Sequence, residues 1–213
     1  MSESSPKPEV GLAKNDEMLP GVTRYLEQLG VNTGDFPEEE RGRSYTVDRP
    51  EARYSFLNAS DVAGCYMDGI LDAGMTGSDW AFEWALRKGK TLQDVKWMPA
   101  YILDGEGGKE SFGDVRRVLA SPDGNLSQEP YVAAEKPDSA RFFLEDSYPG
   151  SDVKAINGSS EVFPKYDGVD AYFGIVESGN TMKQNGMEPV EHYEKSTGVW
   201  LGQNPWDLFG TNL

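Results

Sequence analysis

The chain has 213 residues and sets 20 Lys plus Arg against 36 Asp plus Glu, a formal net charge of −16. That length buries a sizeable core in one large or two small domains, and that charge speaks against a nucleic-acid binder, because phosphate backbones demand a basic surface. No apolar run reaches the roughly 18 residues of a membrane helix, Met1 to Pro8 lacks the pattern of a signal peptide, and the single Cys65 excludes an internal disulfide, so a cytoplasmic protein without membrane association is expected. The first eight residues read as a disordered tail. Val10 to Ala13 reads as a strand, and Met18 to Leu29 carries apolar residues at helical spacing until Gly30 stops it. Thr33 to Pro50 is polar, with Pro37, Glu38 to Glu40 and Arg41-Gly42-Arg43, and reads as a loop of the kind that orders on a ligand.

Arg53 to Leu57 is expected as a strand, Asp61 to Asp68 as a helix capped by Ser60 or Asp61, Asp72 to Met75 as a strand, and Asp79 to Arg87 as a helix opening at Ser78. Cys65 falls in the first of these helices, where a small buried hydrophobe is expected rather than a nucleophile. A Gly-rich segment from Leu103 to Gly113 breaks the pattern and marks a crossing into a second unit. Strands at Arg116 to Ala120, Pro130 to Ala134, Val153 to Ile156 and Ala171 to Val176, with a helix over Ser139 to Asp146, build that unit. Alternating strands and helices predict an α/β fold with parallel sheets. Arg116 and Arg117 read as one inward and one outward side chain of a strand. His192, the only histidine, is expected to face solvent. Trp200 and Trp206 either mark a contact surface or pack back on the first unit.

The richest stretch is 157–182. An apolar run from Ala171 to Val176 delivers Glu177-Ser178-Gly179-Asn180-Thr181 to a helix starting near Met182, capped by Thr181 or Asn180, and that geometry suits a phosphate cradle of amides and hydroxyls as well as an ordinary turn. Gly158, Ser159, Glu161, Pro164, Asp170, Ala171, Val176, Gly179 and Thr181 resemble, without a gap, the signature of the ATP phosphoribosyltransferase family. Ser178 stands for its Thr and Met182 for its Leu. Asn185-Gly186-Met187 through Val190-Glu191 continues the likeness. Asp61-Val62, Met67-Asp68-Gly69, Asp72-Ala73-Gly74, Thr76-Gly77-Ser78-Asp79 and Glu83 form a second matching block, with weaker echoes at Gly11-Leu12-Ala13-Lys14, Phe112-Gly113, Arg116, Ala120-Ser121-Pro122, Val132-Ala133 and Pro137. The chain departs from the pattern at Gly174, where the family has a second Asp, and at Asp167, Ala134 and Asn15 to Met18.

The resemblance implies a two-lobed fold of the type II periplasmic-binding-protein kind with a cleft between the lobes: residues 9–102 and 184–213 in lobe I, 103–183 in lobe II. It implies transfer of phosphoribose from phosphoribosyl pyrophosphate to ATP, the first step of histidine biosynthesis, with Mg²⁺ carried by the substrate pyrophosphate and no protein-held metal. Asp170, Glu161 and Lys14 are the implied catalytic residues, and Glu177, Ser178, Gly179, Asn180 and Thr181 the phosphate loop. Arg43, Arg116 and Thr76 are the implied nucleotide or pyrophosphate contacts. The implied form is the short one, homo-oligomeric, with a regulatory subunit resembling a histidyl-tRNA synthetase. Two alternatives remain open at this point: a divergent relative that uses another acceptor or different chemistry on a phosphorylated metabolite, and a non-catalytic ligand-binding protein of the same fold.

Overall fold

In chain order the elements are β1 (Glu9–Ala13), α1 (Leu19–Gln28), β2 (Tyr45–Asp48), β3 (Arg53–Leu57), α2 (Ala59–Met67), β4 (Ala73–Gly77), α3 (Ser78–Arg87), a 3-10 turn (Leu92–Asp94), β5 (Trp97–Pro99), β6 (Ile102–Leu103), β7 (Lys109–Glu110), β8 (Val115–Ser121), β9 (Tyr131–Ala134), α4 (Pro137–Leu144), β10 (Asp152–Ala155), β11 (Ala171–Val176), α5 (Asn180–Gln184), β12 (Glu188–Ser196), β13 (Gly198–Leu201) and α6 (Pro205–Phe209). This computed structural model describes residues 6–37, 44–104, 106, 108–158, 162, 164, 168–176 and 179–209. The chain divides into two compact units, the first made of residues up to Gly113 and from Thr197 onward, the second of Asp114–Ser196.

The first unit has a six-stranded sheet in the order β2-β3-β1-β4-β13-β5. Its centre, β3-β1-β4, is parallel, which requires both faces to be covered. Val10, Leu12, Tyr54, Phe56 and Met75 are fully buried there, and α1 lays Leu19, Val22 and Leu26 against them. On the other face α2 approaches closely because Gly11 and Gly74 are partners in register: a Cβ on Gly11 would stand 2.5 Å from Leu71 Cδ1, and one on Gly74 would stand 2.7 Å from Val62 Cγ1. Cys65 is half-buried, and burial with Asp61 and Asp68 nearby pushes its thiol up. Trp200 is fully buried, its indole N–H donating to the Gln203 carbonyl at 2.7 Å, and Phe209 packs on it and on Tyr54. Of the two readings of the late aromatics, packing back on the first unit is therefore the one observed.

The second unit is a five-stranded sheet in the order β10-β9-β11-β8-β12. β10, β9 and β11 run parallel, and β8 is antiparallel to both β11 and β12. Period-two burial sorts β8 and β11 between two cores. Leu119, Ala171 and Phe173 meet Ala140 and Leu144 of α4 on one face, while Val118, Ala120 and Tyr172 meet Met182 and Met187 on the other.

The unit boundaries differ from those expected. The chain crosses at Gly113 rather than near 103, because Ile102 and Phe112 are buried in the first core and the Gly198 amide donates to the Phe112 carbonyl at 2.8 Å. It returns at Thr197 rather than near 184, because β12 pairs along β8. The expected tail is shorter too: Lys7 Nζ stands 2.6 Å from Asp48 and the Arg53 amide donates to the Pro8 carbonyl, while residues 1–5 lie outside the described residues. Within the expected loop of 33–50, Tyr45–Asp48 forms a strand on β3, with Tyr45 stacked on Phe56.

Candidate functional site

β8 is the middle strand of three, and its two arginines go opposite ways. Arg117 is buried with its guanidinium 5.3 Å from the Phe143 ring of α4. Arg116 emerges on the opposite face, in a row that runs from Val176 of β11 through Arg116 to Lys195 of β12. Beside that row lies a pocket of about 450 Å³ lined by Asp114, Arg116, Gly179, Lys183, His192 and Lys195, over apolar Val176 and Met182. Three cations, a histidine and one carboxylate make this a locally positive site in a chain of net charge −16, which is the arrangement that concentrates an anion.

Gly179 opens the pocket's loop. It is the N-cap of α5 at φ +73°, a left-handed conformation that a side chain would strain, so this cap position favours glycine. The helix begins at Asn180, two residues before the expected start, and its cap is Gly179 rather than Asn180 or Thr181. Asn180 and Thr181 are exposed in its first turn. Glu177 and Ser178 of the same loop, together with Glu161 and Arg43, lie outside the described residues.

Asp170 is elsewhere. Its amide donates to the Tyr131 carbonyl at 2.9 Å and its Oδ2 accepts from the Tyr131 amide at 2.8 Å, a two-point clamp on the first residue of β9. The six residues of β11 separate it from the loop, a span of about 20 Å. Asp170 was expected as a catalytic residue in contact with the ribose or its Mg²⁺; extended chain carries it and the Gly179 turn to opposite ends of one strand. Asp170 instead borders a second cavity of about 480 Å³ with Asp123, Asn125 and Ser127, and among the described residues no cation lines it.

The remaining expected residues belong to the first unit. Lys14 follows β1 and is buried, its amide donating to the Leu57 carbonyl at 3.0 Å, so it stands at the carboxyl ends of parallel β1 and β3, where α/β sheets place their ligands. Thr76 is fully buried and its hydroxyl donates to the Ala59 carbonyl at 2.7 Å. Thr76, expected as a nucleotide or pyrophosphate contact, ties α2 to β4 through that bond. Ser78 Oγ accepts from the Thr197 amide at 3.2 Å and fastens β13. Lys183, His192 and Lys195 were not anticipated as site residues. His192, expected only to face solvent, is exposed and lines the pocket.

The family model described as ATP phosphoribosyltransferase matches residues 58–205, most of the chain. The chain belongs to the ATP phosphoribosyltransferase family. An ATP phosphoribosyltransferase of Methanopyrus kandleri is 27% identical over 188 residues, covering 85% of this chain and 60% of that protein. One of Natronomonas pharaonis is 31% identical, covering 81% and 57%. One of Alkaliphilus metalliredigens is 28% identical, covering 86% and 81%. The chain thus spans about 60% of the length of the first two relatives. Among solved structures, the ATP phosphoribosyl transferase (HisG:HisZ) complex of Thermotoga maritima superposes with a TM-score of 0.68 at 21% identity, covering 92% of this chain and 87% of that one. A substrate-binding protein of an amino acid ABC transporter superposes at 0.54 with 12% identity, covering 96% and 89%. The fold is thus the α/β fold of two units that the family shares with periplasmic-type binding proteins.

The family's signature includes the loop at Gly179, so that pattern borders the cation-lined pocket. Gly174, where the family pattern has Asp, sits opposite Val118, which in turn sits opposite His192. A carboxylate at 174 would face the same side as Arg116. Among the described residues no cluster of carboxylates, histidines and cysteines fits a protein-held metal, and the pocket's one acid among cations does not fit one either.

Proposed function

We propose that the chain transfers phosphoribose from phosphoribosyl pyrophosphate to N1 of the adenine of ATP, the first step of histidine biosynthesis. The C1–O bond to pyrophosphate breaks as the C1–N1 bond forms, and Mg²⁺ enters and leaves as part of the pyrophosphate substrate. Positive charge grows on the ribose and negative charge on the leaving group, so the protein's task is positioning and electrostatics rather than covalent chemistry. One observation supports the reading most: the glycine loop of the family signature opens onto a pocket lined by Arg116 and Lys183. In this reading the amides of Glu177 to Thr181, with the hydroxyls of Ser178 and Thr181, cradle a phosphate that Arg116 neutralises. Lys14, at the strand ends of the first unit, is assigned to a second phosphate, with Glu161 and Arg43 as further contacts. A cytoplasmic setting, self-association and a regulatory subunit are part of the proposal, the last supported by the HisG:HisZ complex named for the Thermotoga structure.

Gly174 favours one competing reading, a relative that moves phosphoribose to another acceptor, because a carboxylate of the family pattern is missing from the pocket face. The two readings separate in one assay. Protein is incubated with phosphoribosyl pyrophosphate, ATP, Mg²⁺ and a pyrophosphatase, and phosphoribosyl-ATP is followed by absorbance and mass. The proposal expects product that falls at least about tenfold in Arg116→Gln. No product, with phosphoribosyl pyrophosphate still raising the melting temperature, would transfer the case to another acceptor.

A further inference from the structure

β12 presents three side chains to the pocket at a spacing that a regular strand forbids. Residues three apart on an unbroken strand point to opposite faces. Here Pro189 stands opposite Ala120, His192 opposite Val118 and Lys195 opposite Arg116, and all three line the pocket, because a register shift falls in each interval. A bulge sets two residues against one and re-aims the side chains beyond it. The two bulges also sort the charges of β12. Glu191 stands opposite Leu119 and accepts a hydrogen bond from the Tyr193 hydroxyl at 2.9 Å, on the face where Tyr193 packs 4.8 Å from the Phe143 ring. Basic groups turn into the pocket while that carboxylate turns away.

The Arg116–Lys195 pair points the same way. Like charges directly opposite on neighbouring strands repel, and a bound anion converts that repulsion into attraction. Arg116, Lys195 and Lys183 supply three positive charges and Asp114 subtracts one, a surplus of two that matches a phosphate monoester dianion. We infer that β12 is the element that selects a phosphate monoester dianion at this pocket, with Lys195 completing the charge of Arg116 and Lys183 and His192 donating a hydrogen bond beside it. The inference rests on the transferase reading only for the sugar that carries the phosphate.

Calorimetry on the full chain with ribose 5-phosphate and with ribose 5-sulfate, a monoanion of similar shape, tests it. The wild type is expected to prefer the phosphate by about tenfold or more, Lys195→Gln to lose about tenfold in phosphate affinity and most of that preference, and His192→Gln to lose severalfold. Without ligand, Lys195→Gln is expected to melt higher than the wild type, since one repelling charge is gone; a purely structural lysine would lower the melting temperature. Phosphate binding by Lys195→Gln within twofold of the wild type overturns the inference, as does a wild type that binds no ribose 5-phosphate. If Lys195→Gln binds normally while the wild type makes phosphoribosyl-ATP, the inference falls and the transferase reading stands. If the preference depends on Lys195 but no phosphoribosyl-ATP forms, the reverse holds.

Discussion

The two ends of the second unit's sheet hold cavities of similar size, about 450 and 480 Å³, with opposite chemistry. At the end of β11 that meets α5, the lining is Arg116, Lys183, His192 and Lys195 with the single carboxylate of Asp114, around a glycine turn. At the other end, Asp123 and Asp170 line the cavity, and Asp170 spends one carboxylate oxygen on the Tyr131 amide. One end gathers cations around a cavity, the other holds two strands in register. Residues that a signature groups together therefore border two different cavities, and the strand between them makes the division.

Arg116→Gln should have the largest effect, because a charge-assisted contact at the centre of the cation row is removed. An affinity loss for ribose 5-phosphate of about 10- to 100-fold is expected by calorimetry. Asp170→Ala should sharpen the contrast by doing the reverse: stability falls by about 1 kcal/mol in thermal or denaturant melts as the Tyr131 amide loses its partner, while ribose 5-phosphate affinity stays within twofold. Gly179→Ala should cost about 1 kcal/mol of stability for the left-handed backbone and weaken phosphate binding as well, so a variant at the cationic end moves both readouts where Asp170 moves one. Chelating divalent metal with EDTA should change ribose 5-phosphate affinity by less than twofold, since side-chain cations do the neutralising. The smallest effect is expected for Asp123→Asn, which should leave phosphate affinity unchanged within error; a clear gain or loss there would break the comparison.

Much of the fold was legible because hydrophobic spacing and helix stops report local structure directly. The run at Ala171 to Val176, the helix ending before Gly30 and the strand at Arg53 to Leu57 all appear as elements with closely matching bounds. β12 was not legible. Its two bulges shift the face of the strand by one residue each time, so the sequence from Glu188 to Ser196 shows no period of two, and nothing in it places Lys195 and His192 on one face. β2 was lost inside a polar segment, and β6 and β7 are two residues each, too short for any period to show.

The candidate site was half legible. Gly179 and Arg116 were found through the family signature and line the pocket. Asp170 stands apart from the Gly179 turn for a reason already present in the sequence: a strand read at 171–176 has to carry its two ends about 20 Å apart. At Thr76 a Thr-Gly-Ser before a helix looks the same whether its hydroxyl meets an anion or a backbone carbonyl, and here it meets the Ala59 carbonyl.

The most direct test is a crystal structure of the chain with ribose 5-phosphate. Phosphate density is expected against Arg116, Lys183 and Lys195, with the Gly179 turn at its edge. Density against Asp123 and Asp170 instead, or a phosphate with Lys195 turned away from it, would contradict the division of the sheet into a binding end and a structural end.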